Sequence, residues 1–185
     1  VQTGGPSGGC LTEKHLDIPI DYESLTAAGS MMGSGGMIVM DEDDCMVAIA
    51  KFYLEFIVGE SCGKCTPCRI GNKRMLEILT KITEGKGEMK DLEMLKNLAE
   101  VIKDTALCGL GQTSPNPVLS TMNNFYEEYE EHVKKHKCRA KKCKALLTYT
   151  INPEKCRGCG ICAKDCPASA IMGDVRKPHV INPYL

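Results

Sequence analysis

Apolar residues recur at three- and four-residue spacing through the middle of the chain, which predicts a series of amphipathic helices. A first helix begins after the acidic residues 41–44, and a second begins at Pro67. A third spans about residues 89–104, and a fourth opens at 114–117. Their apolar stripes comprise Met46, Ile49, Ala50, Tyr53, Leu54 and Ile57; Met75, Leu76, Leu79 and Ile82; Leu92, Leu95, Leu98, Val101 and Ile102; and Val118, Met122, Phe125, Tyr126, Tyr129 and Val133. The short links between the helices predict a four-helix bundle at residues 41–137.

The segments on either side of this bundle have a different composition. Residues 1–40 are rich in glycine and contain the apolar run Met37–Met40, which we interpret as a buried strand. A phosphate cradle is the alternative for the glycines, but no Gly-Lys-Ser/Thr follows them. Residues 138–185 contain two predicted strands, at 146–151 and 179–181, around a cysteine-dense loop. The predicted fold class is therefore mainly α with small α+β parts.

Charge and composition limit the classes of function. A formal net charge of −1 provides no basic field for a nucleic-acid partner, and no apolar run approaches the roughly 20 residues that span a bilayer. The twelve cysteines are grouped in short clusters, and no secretory segment is present. We therefore expect a cytoplasmic protein with metal or redox chemistry, and a disulfide framework is the alternative. No nucleophile beside a base and no paired carboxylates are evident, so we expect no bond-making chemistry.

The first chemical motif is Cys62, Cys65 and Cys68, at Cys-x2-Cys-x2-Cys spacing. Three thiols on one short loop suit three corners of a 4Fe-4S cube, whereas a zinc ribbon needs two per loop. Cys108, followed by Gly109, is the best candidate for the fourth corner. A four-cysteine zinc site is the alternative.

The second motif runs from Cys156 to Pro167 and has the spacing of bacterial ferredoxins, Cys-x2-Cys-x2-Cys-x3-Cys-Pro. Its ligands are Cys156, Cys159, Cys162 and Cys166. In two-cluster ferredoxins the fourth cysteine binds the other cluster, and the chain has no second run to complete the set. We interpret 138–185 as a linker and a partial, truncated ferredoxin-like domain; an absent or damaged second cluster is the alternative.

Four cysteines remain, and three of them suggest another metal site. Cys45, His132, Cys138 and Cys143 form a sulfur and nitrogen set that suits tetrahedral zinc. The alternative is that Cys45 belongs to the core and the histidine is solvated. Cys10 is interpreted as a small buried residue.

The motifs at 60–69 and 105–111 closely resemble the NADH-binding flavoprotein subunit of NADH dehydrogenases, the 51-kDa-type subunit of complex I. The resemblance extends to residue 137 and implies that residues 1–40 end a soluble ligand-binding β-grasp domain. It also implies that Cys62, Cys65, Cys68 and Cys108 hold a 4Fe-4S cluster that accepts electrons from flavin. In this family, FMN and NAD(P) bind in a domain upstream of these motifs. The flavin-binding glycine motif of that domain is missing from the chain.

The ferredoxin-like tail makes the chain resemble the beta subunits of multimeric iron hydrogenases, electron-bifurcating or NADP-reducing. Because the sequence starts at Val1 without a methionine, we expect a C-terminal fragment. The implied function is electron relay in an NAD(P)-linked hydrogenase, with a thioredoxin-like 2Fe-2S subunit and a catalytic subunit as partners. The alternatives are a formate dehydrogenase, an NADH:quinone oxidoreductase, or a zinc-stabilised binding module without redox function.

Overall fold

The computed structural model describes residues 1–182, which divide into two compact units, Val1–Leu146 and a second that begins at Leu147. The α-helices are α1 (Tyr22–Ala27), α2 (Met46–Glu60), α3 (Asn72–Thr83), α4 (Met89–Thr105), α5 (Gly109–Thr113), α6 (Asn116–Asn124), α7 (Tyr126–Lys134) and α8 (Ile161–Asp165). The strands are β1 (Gln2–Thr3), β2 (Gly9–Cys10), β3 (Met37–Ile38), β4 (Ile171–Met172) and β5 (Val180–Ile181). Short 3-10 turns occupy Gly5–Ser7, Glu13–His15 and Lys144–Leu146. Within the described residues, no helix has the length and apolar character needed to cross a membrane.

The first unit begins with a small antiparallel sheet in the order β2-β1-β3, in which Gln2 lies opposite both Cys10 and Ile38. The strand predicted at Met37–Met40 is confirmed over its first two residues. Its predicted burial is wrong, because β3 is an edge strand and the side chains of Met37 and Ile38 are about half exposed.

Helix α6 connects this sheet to the helices through hydrogen bonds to backbone groups. Ser120 Oγ accepts from the backbone N–H of Cys10 at 2.9 Å, and Asn124 Nδ2 donates to the Cys10 carbonyl at 2.9 Å. Asn116 Nδ2 donates to the carbonyl of Ser7 at 2.9 Å. Both backbone groups of the β2 terminus are thus paired, which the burial of this segment requires.

The core of the first unit lies among α2, α3, α4, α6 and α7. Most of the predicted stripe residues are buried there, since apolar side chains at helical spacing face the same side of each helix. Two are exposed instead: Val101 at 54% and Tyr126 at 42%. Val101 lies beside its stripe on α4, and Tyr126 is the first residue of α7.

The fourth predicted helix is two helices, because the backbone leaves helical geometry at Phe125 (φ −135°, ψ 37°). After this break, the Tyr129 hydroxyl lies 2.7 Å from Thr121 Oγ1. The Glu128 carboxylate accepts from the backbone N–H of Met46 at 3.1 Å, at the start of α2. These two buried contacts fix the direction of α7 against its neighbours.

The second predicted helix begins at Pro67, as expected, but its first turn, Pro67–Gly71, is a π-helix that leads into α3. π-turns within helices are rare and are concentrated at functional sites.

In the second unit, β4 and β5 pair in antiparallel register, with Ile171 opposite Ile181. The strand predicted at 179–181 is thereby confirmed over Val180–Ile181. The strand predicted at 146–151 is wrong, since no residue of that segment pairs with another strand.

The packing of α4 can be tested with two exchanges on one helix. Leu95 is fully buried, so we expect Leu95→Ala to lower the free energy of unfolding by about 2–5 kcal/mol. Val101 is about half exposed and provides the matched control. Val101→Ala is expected to change the free energy of unfolding by less than about 0.5 kcal/mol. Urea unfolding followed by circular dichroism measures both. Equal losses would contradict this assignment of the buried face.

Candidate metal centres

Cys62 and Cys65 lie in the loop between the end of α2 and the π-turn before α3, and Cys68 lies within that turn. Gly63 permits the sharp turn of the loop because its φ of +75° lies in the left-handed region, which other residues rarely adopt. The Gly63 carbonyl accepts from Arg69 Nη1 at 3.2 Å, which closes the loop on itself. Cys62 is exposed, Cys65 is half-buried and Cys68 is buried.

The structure brings the segment around Cys108 to this loop. The backbone N–H of Leu107 donates to the Cys65 thiol, and this bond, together with the N–H of Cys68, holds the pKa of Cys65 below its usual value. Gly111 lies against Cys68: a Cβ added to it would be 3.1 Å from the Cys68 Cβ. Cys108 itself is exposed at the start of α5. The four predicted ligands therefore come from two segments in direct contact.

Cys68 has two side-chain neighbours that sequence reasoning missed. Asn72 Nδ2 donates to its sulfur at 3.4 Å, and Ser61 Oγ lies 3.3 Å from the same atom. Ser114 Oγ in turn donates to Asn72 Oδ1 at 2.7 Å. The only sequence signal was the four-residue spacing between Cys68 and Asn72, which places both on one helix face. Donors converging on Cys65 and Cys68 suit thiolate ligands of an iron–sulfur cluster.

The ferredoxin-type loop is held by backbone donors in the second unit. The N–H of His179 lies 3.4 Å from the Cys156 sulfur, and it holds the pKa of that thiol below its usual value. Backbone N–H groups, first that of Ala170, lower the pKa of Cys166 in the same way. Cys159 and Cys162 are exposed. Both hydrogen-bonded sulfurs are thus prepared for the anionic form that binds metal.

Cys45, His132, Cys138 and Cys143 meet inside the first unit. All four are buried, and their ligand atoms lie within 4.8 Å of one another. His132 Nε2 is 3.3 Å from the sulfur of Cys45 and 3.4 Å from that of Cys143, and those sulfurs are 3.9 Å apart. Cys45 is the N-cap of α2, His132 lies on α7, and Cys138 and Cys143 belong to the chain after α7. The site thus gathers three separate parts of the chain.

These dimensions suit a tetrahedral metal ion. With Zn–S bonds of about 2.3 Å and Zn–N bonds of about 2.0 Å, sulfurs lie about 3.8 Å apart and about 3.5 Å from the nitrogen. His132 Nδ1 donates to the carbonyl of Glu128 at 2.7 Å, which leaves the Nε2 lone pair for a metal. In the metal-free protein, hydrogen bonding with Cys143 and burial raise the pKa of Cys45 to about 12.

Two segments match known protein families. Residues 48–132 match the family described as the NADH-ubiquinone oxidoreductase-F iron-sulfur binding region. Residues 149–172 match the 4Fe-4S binding domain. The first match includes Cys62, Cys65, Cys68 and Cys108, and the second includes the ferredoxin-type run. Both families bind iron–sulfur clusters.

The chain is similar to subunits of two kinds of oxidoreductase. It is 65% identical to the NADP-reducing hydrogenase subunit HndC of Solidesulfovibrio fructosivorans, over 97% of this chain and 36% of that protein. It is 43% identical to the F-type subunit of NADH-quinone oxidoreductase from Streptomyces coelicolor, over 73% of this chain and 30% of the relative. The chain therefore spans about a third of the length of these curated relatives.

Among solved structures, a crystal structure of NAD+-reducing [NiFe]-hydrogenase in the H2-reduced state superposes with a TM-score of 0.64 at 32% identity. The match covers 71% of this chain and 22% of that one. The mostly helical fold is therefore one that a hydrogenase subunit also has.

The contact between α5 and the cysteine loop can be tested at two glycines. A Cβ on Gly111 would lie 3.1 Å from the Cβ of Cys68 in the loop and 2.5 Å from the Cβ of Ala106, so Gly111→Ala is expected to lower the free energy of unfolding by about 1–3 kcal/mol. Gly109, on the same helix, has open space around it. Gly109→Ala is therefore the control and is expected to be neutral or stabilising by up to about 1 kcal/mol. Thermal unfolding measures both, and a neutral Gly111→Ala would contradict the close approach.

Proposed function

Because this chain belongs to the family that carries the NADH-ubiquinone oxidoreductase-F iron-sulfur binding region, we propose that it relays single electrons within an NAD(P)-linked hydrogenase. In this proposal a 4Fe-4S cluster in the helical unit exchanges electrons with a flavin bound elsewhere in the full protein. The observation that carries it is the meeting of the Cys62–Cys68 loop with the Cys108 segment, through Leu107 and Gly111. That meeting lies inside the region matched to an iron-sulfur binding family.

The ligands of this cluster are Cys62, Cys65, Cys68 and Cys108. When bound, a 4Fe-4S cluster supplies reversible one-electron chemistry. The chain contributes thiolates and the N–H and O–H groups that stabilise their negative charge, as the donors to Cys65 and Cys68 do. Cys62 and Cys108 are exposed, and Leu107, next to Cys108, is 80% exposed. One side of the site is thus open to an electron-transfer partner.

The full protein is proposed to bind FMN and NAD(P) in a domain outside this chain, with residues 1–40 as the end of a β-grasp domain. The partners would be a thioredoxin-like 2Fe-2S subunit and a catalytic subunit, in a cytoplasmic complex capable of electron bifurcation. The identity to an NADP-reducing hydrogenase subunit over 97% of the chain favours this assignment. An equivalent subunit of a formate dehydrogenase or an NADH:quinone oxidoreductase is the second candidate, supported by the NADH-quinone oxidoreductase relatives.

The tail, residues 138–185, is proposed to be a linker followed by part of a ferredoxin-like domain. Cys156, Cys159 and Cys162 bind a second cluster in this proposal, and Cys166 serves a neighbouring one. The backbone donors to Cys156 and Cys166 and the match to the 4Fe-4S binding domain support this role.

We also propose that Cys45, His132, Cys138 and Cys143 bind a structural zinc ion. The interatomic distances and the burial of the four side chains support it. A structural site of this type is closed, with four protein ligands and no open position for substrate. Its role would be to fix α7 and the chain after it to the start of α2. A zinc-stabilised binding module without any redox function is the remaining alternative, and iron and sulfide analysis distinguishes it.

The cluster assignment predicts the effect of removing its fourth ligand. Cys108→Ala is expected to lower the iron content of the anaerobically purified full-length protein by about four atoms per chain, with an equal loss of sulfide. The folding cost is small because Cys108 is exposed. Cys10→Ala is the control, since Cys10 is a buried cysteine that belongs to none of the three cysteine sets. An unchanged iron content and reduced-state EPR spectrum would show that another residue is the fourth ligand.

The zinc assignment predicts a difference between two buried cysteines. Cys138→Ala is expected to abolish binding of one zinc per chain and to lower the melting temperature by at least about 5 °C. Cys10→Ala, equally buried, is expected to retain the metal. Elemental analysis and calorimetry measure the two effects. If both variants kept zinc, or if the parent protein contained none, the assignment would fail.

A further inference from the structure

Asn72 is a fully buried amide with a specific pair of partners. It is the first residue of α3, directly after the π-turn, and its Nδ2 donates to the sulfur of Cys68 at 3.4 Å. Its Oδ1 accepts from the hydroxyl of Ser114 at 2.7 Å. A buried amide is costly unless its polar atoms are paired, so these contacts are required for its presence here.

Ser114 determines which way the amide of Asn72 faces. It is fully buried at the C-terminal end of α5, the short helix that begins after Cys108. The hydroxyl proton of Ser114 is shared between Asn72 Oδ1 and the carbonyl of Gly111, 2.8 Å away. A metal-bound Cys68 thiolate carries no proton, so only the NH2 end of the amide is compatible with it. Ser114, by donating to Oδ1, favours that orientation.

The bond from Asn72 differs from the other side-chain contact to the same sulfur. Ser61 Oγ lies 3.3 Å from Cys68 but is half-buried, so water can replace its hydroxyl group. Water has no equivalent access to Asn72. A hydrogen bond is electrostatically stronger in such a low-dielectric setting, and its loss is not compensated.

Donors to cluster thiolates favour the reduced form, because reduction adds negative charge that the N–H group stabilises. On the basis of the proposed 4Fe-4S site, we propose that Asn72, oriented by Ser114, is a positioning residue that raises the reduction potential of the cluster bound through Cys68.

The test is an EPR-monitored redox titration of the full-length protein, prepared anaerobically, with the Cys108→Ala variant used to identify the signal of this cluster. Asn72→Leu preserves the side-chain size and removes the donor. We expect it to lower the equilibrium constant for one-electron reduction about tenfold, which corresponds to about 59 mV. Ser114→Ala keeps the Asn72 donor but removes the hydroxyl that orients the amide. We expect it to lower the same equilibrium constant about threefold.

Thr121→Val is the matched control for loss of a buried hydrogen bond. Thr121 is buried and its hydroxyl pairs with Tyr129, so the exchange removes a buried polar contact away from the cysteine loop. We expect it to leave the midpoint potential unchanged even where it lowers the melting temperature. A merely structural role for Asn72 would move stability and leave the potential of the cluster unaffected.

The outcomes separate this inference from the function on which it rests. A full-length parent protein without iron and acid-labile sulfide would remove the proposed electron relay itself. A normal cluster whose midpoint is the same in Asn72→Leu and Thr121→Val would overturn the role of Asn72 alone. If Asn72→Leu does not assemble the cluster, Ser114→Ala decides: a decreased midpoint supports the proposal, and an unchanged one overturns it.

Discussion

The loop that carries Cys62, Cys65 and Cys68 has to stay in contact with the segment that carries Cys108, and much of the helical unit serves this contact. Three interactions join the two segments: the Leu107 N–H on Cys65, the packing of Gly111 on Cys68, and the Ser114–Asn72 hydrogen bond. None of them is strong alone. They persist because α3, which follows the cysteine loop, and α4, which precedes the Cys108 segment, share one apolar core.

The buried Cys45–His132 cluster imposes a second constraint, at a different place in the same unit. Helix α7 has nine residues and starts at a break, so its own backbone bonds give it little independent stability. Its position depends on what Glu128, Tyr129 and His132 contact. A zinc ion shared with Cys138 and Cys143 would add covalent character to this attachment. Without a metal, burial and the hydrogen bond with Cys143 keep the Cys45 thiol protonated at neutral pH, because they raise its pKa to about 12.

The sequence predicted those parts of the fold that depend on local pattern. The stripes of α2, α3 and α4 repeat at helical spacing, and Pro67 marked a helix start, so these elements followed from the chain alone. The break at Phe125 did not, because no glycine or proline marks it and it depends on tertiary contacts of the residues that follow. The strand expected at 146–151 failed for a similar reason: an apolar run becomes a strand only when another strand pairs with it.

The candidate sites show the same division. Cysteine spacing predicted the triplet Cys62, Cys65 and Cys68 and the run from Cys156 to Cys166 as cluster ligands, because spacing along one loop limits which atoms can converge. It did not identify Asn72 and Ser114, which are 42 residues apart in sequence and meet only after α3 and α5 have packed.

The two sides of the proposed cluster site differ in a way that suits electron transfer. Cys62 and Cys108 are exposed, whereas Cys68 is buried and hydrogen-bonded to an amide that solvent does not reach. An exposed ligand shortens the path to a partner, but solvent around it also weakens local electrostatic control. A buried donor on the buried ligand avoids this conflict. The open side can then change partners or contacts while the buried side keeps the potential nearly constant.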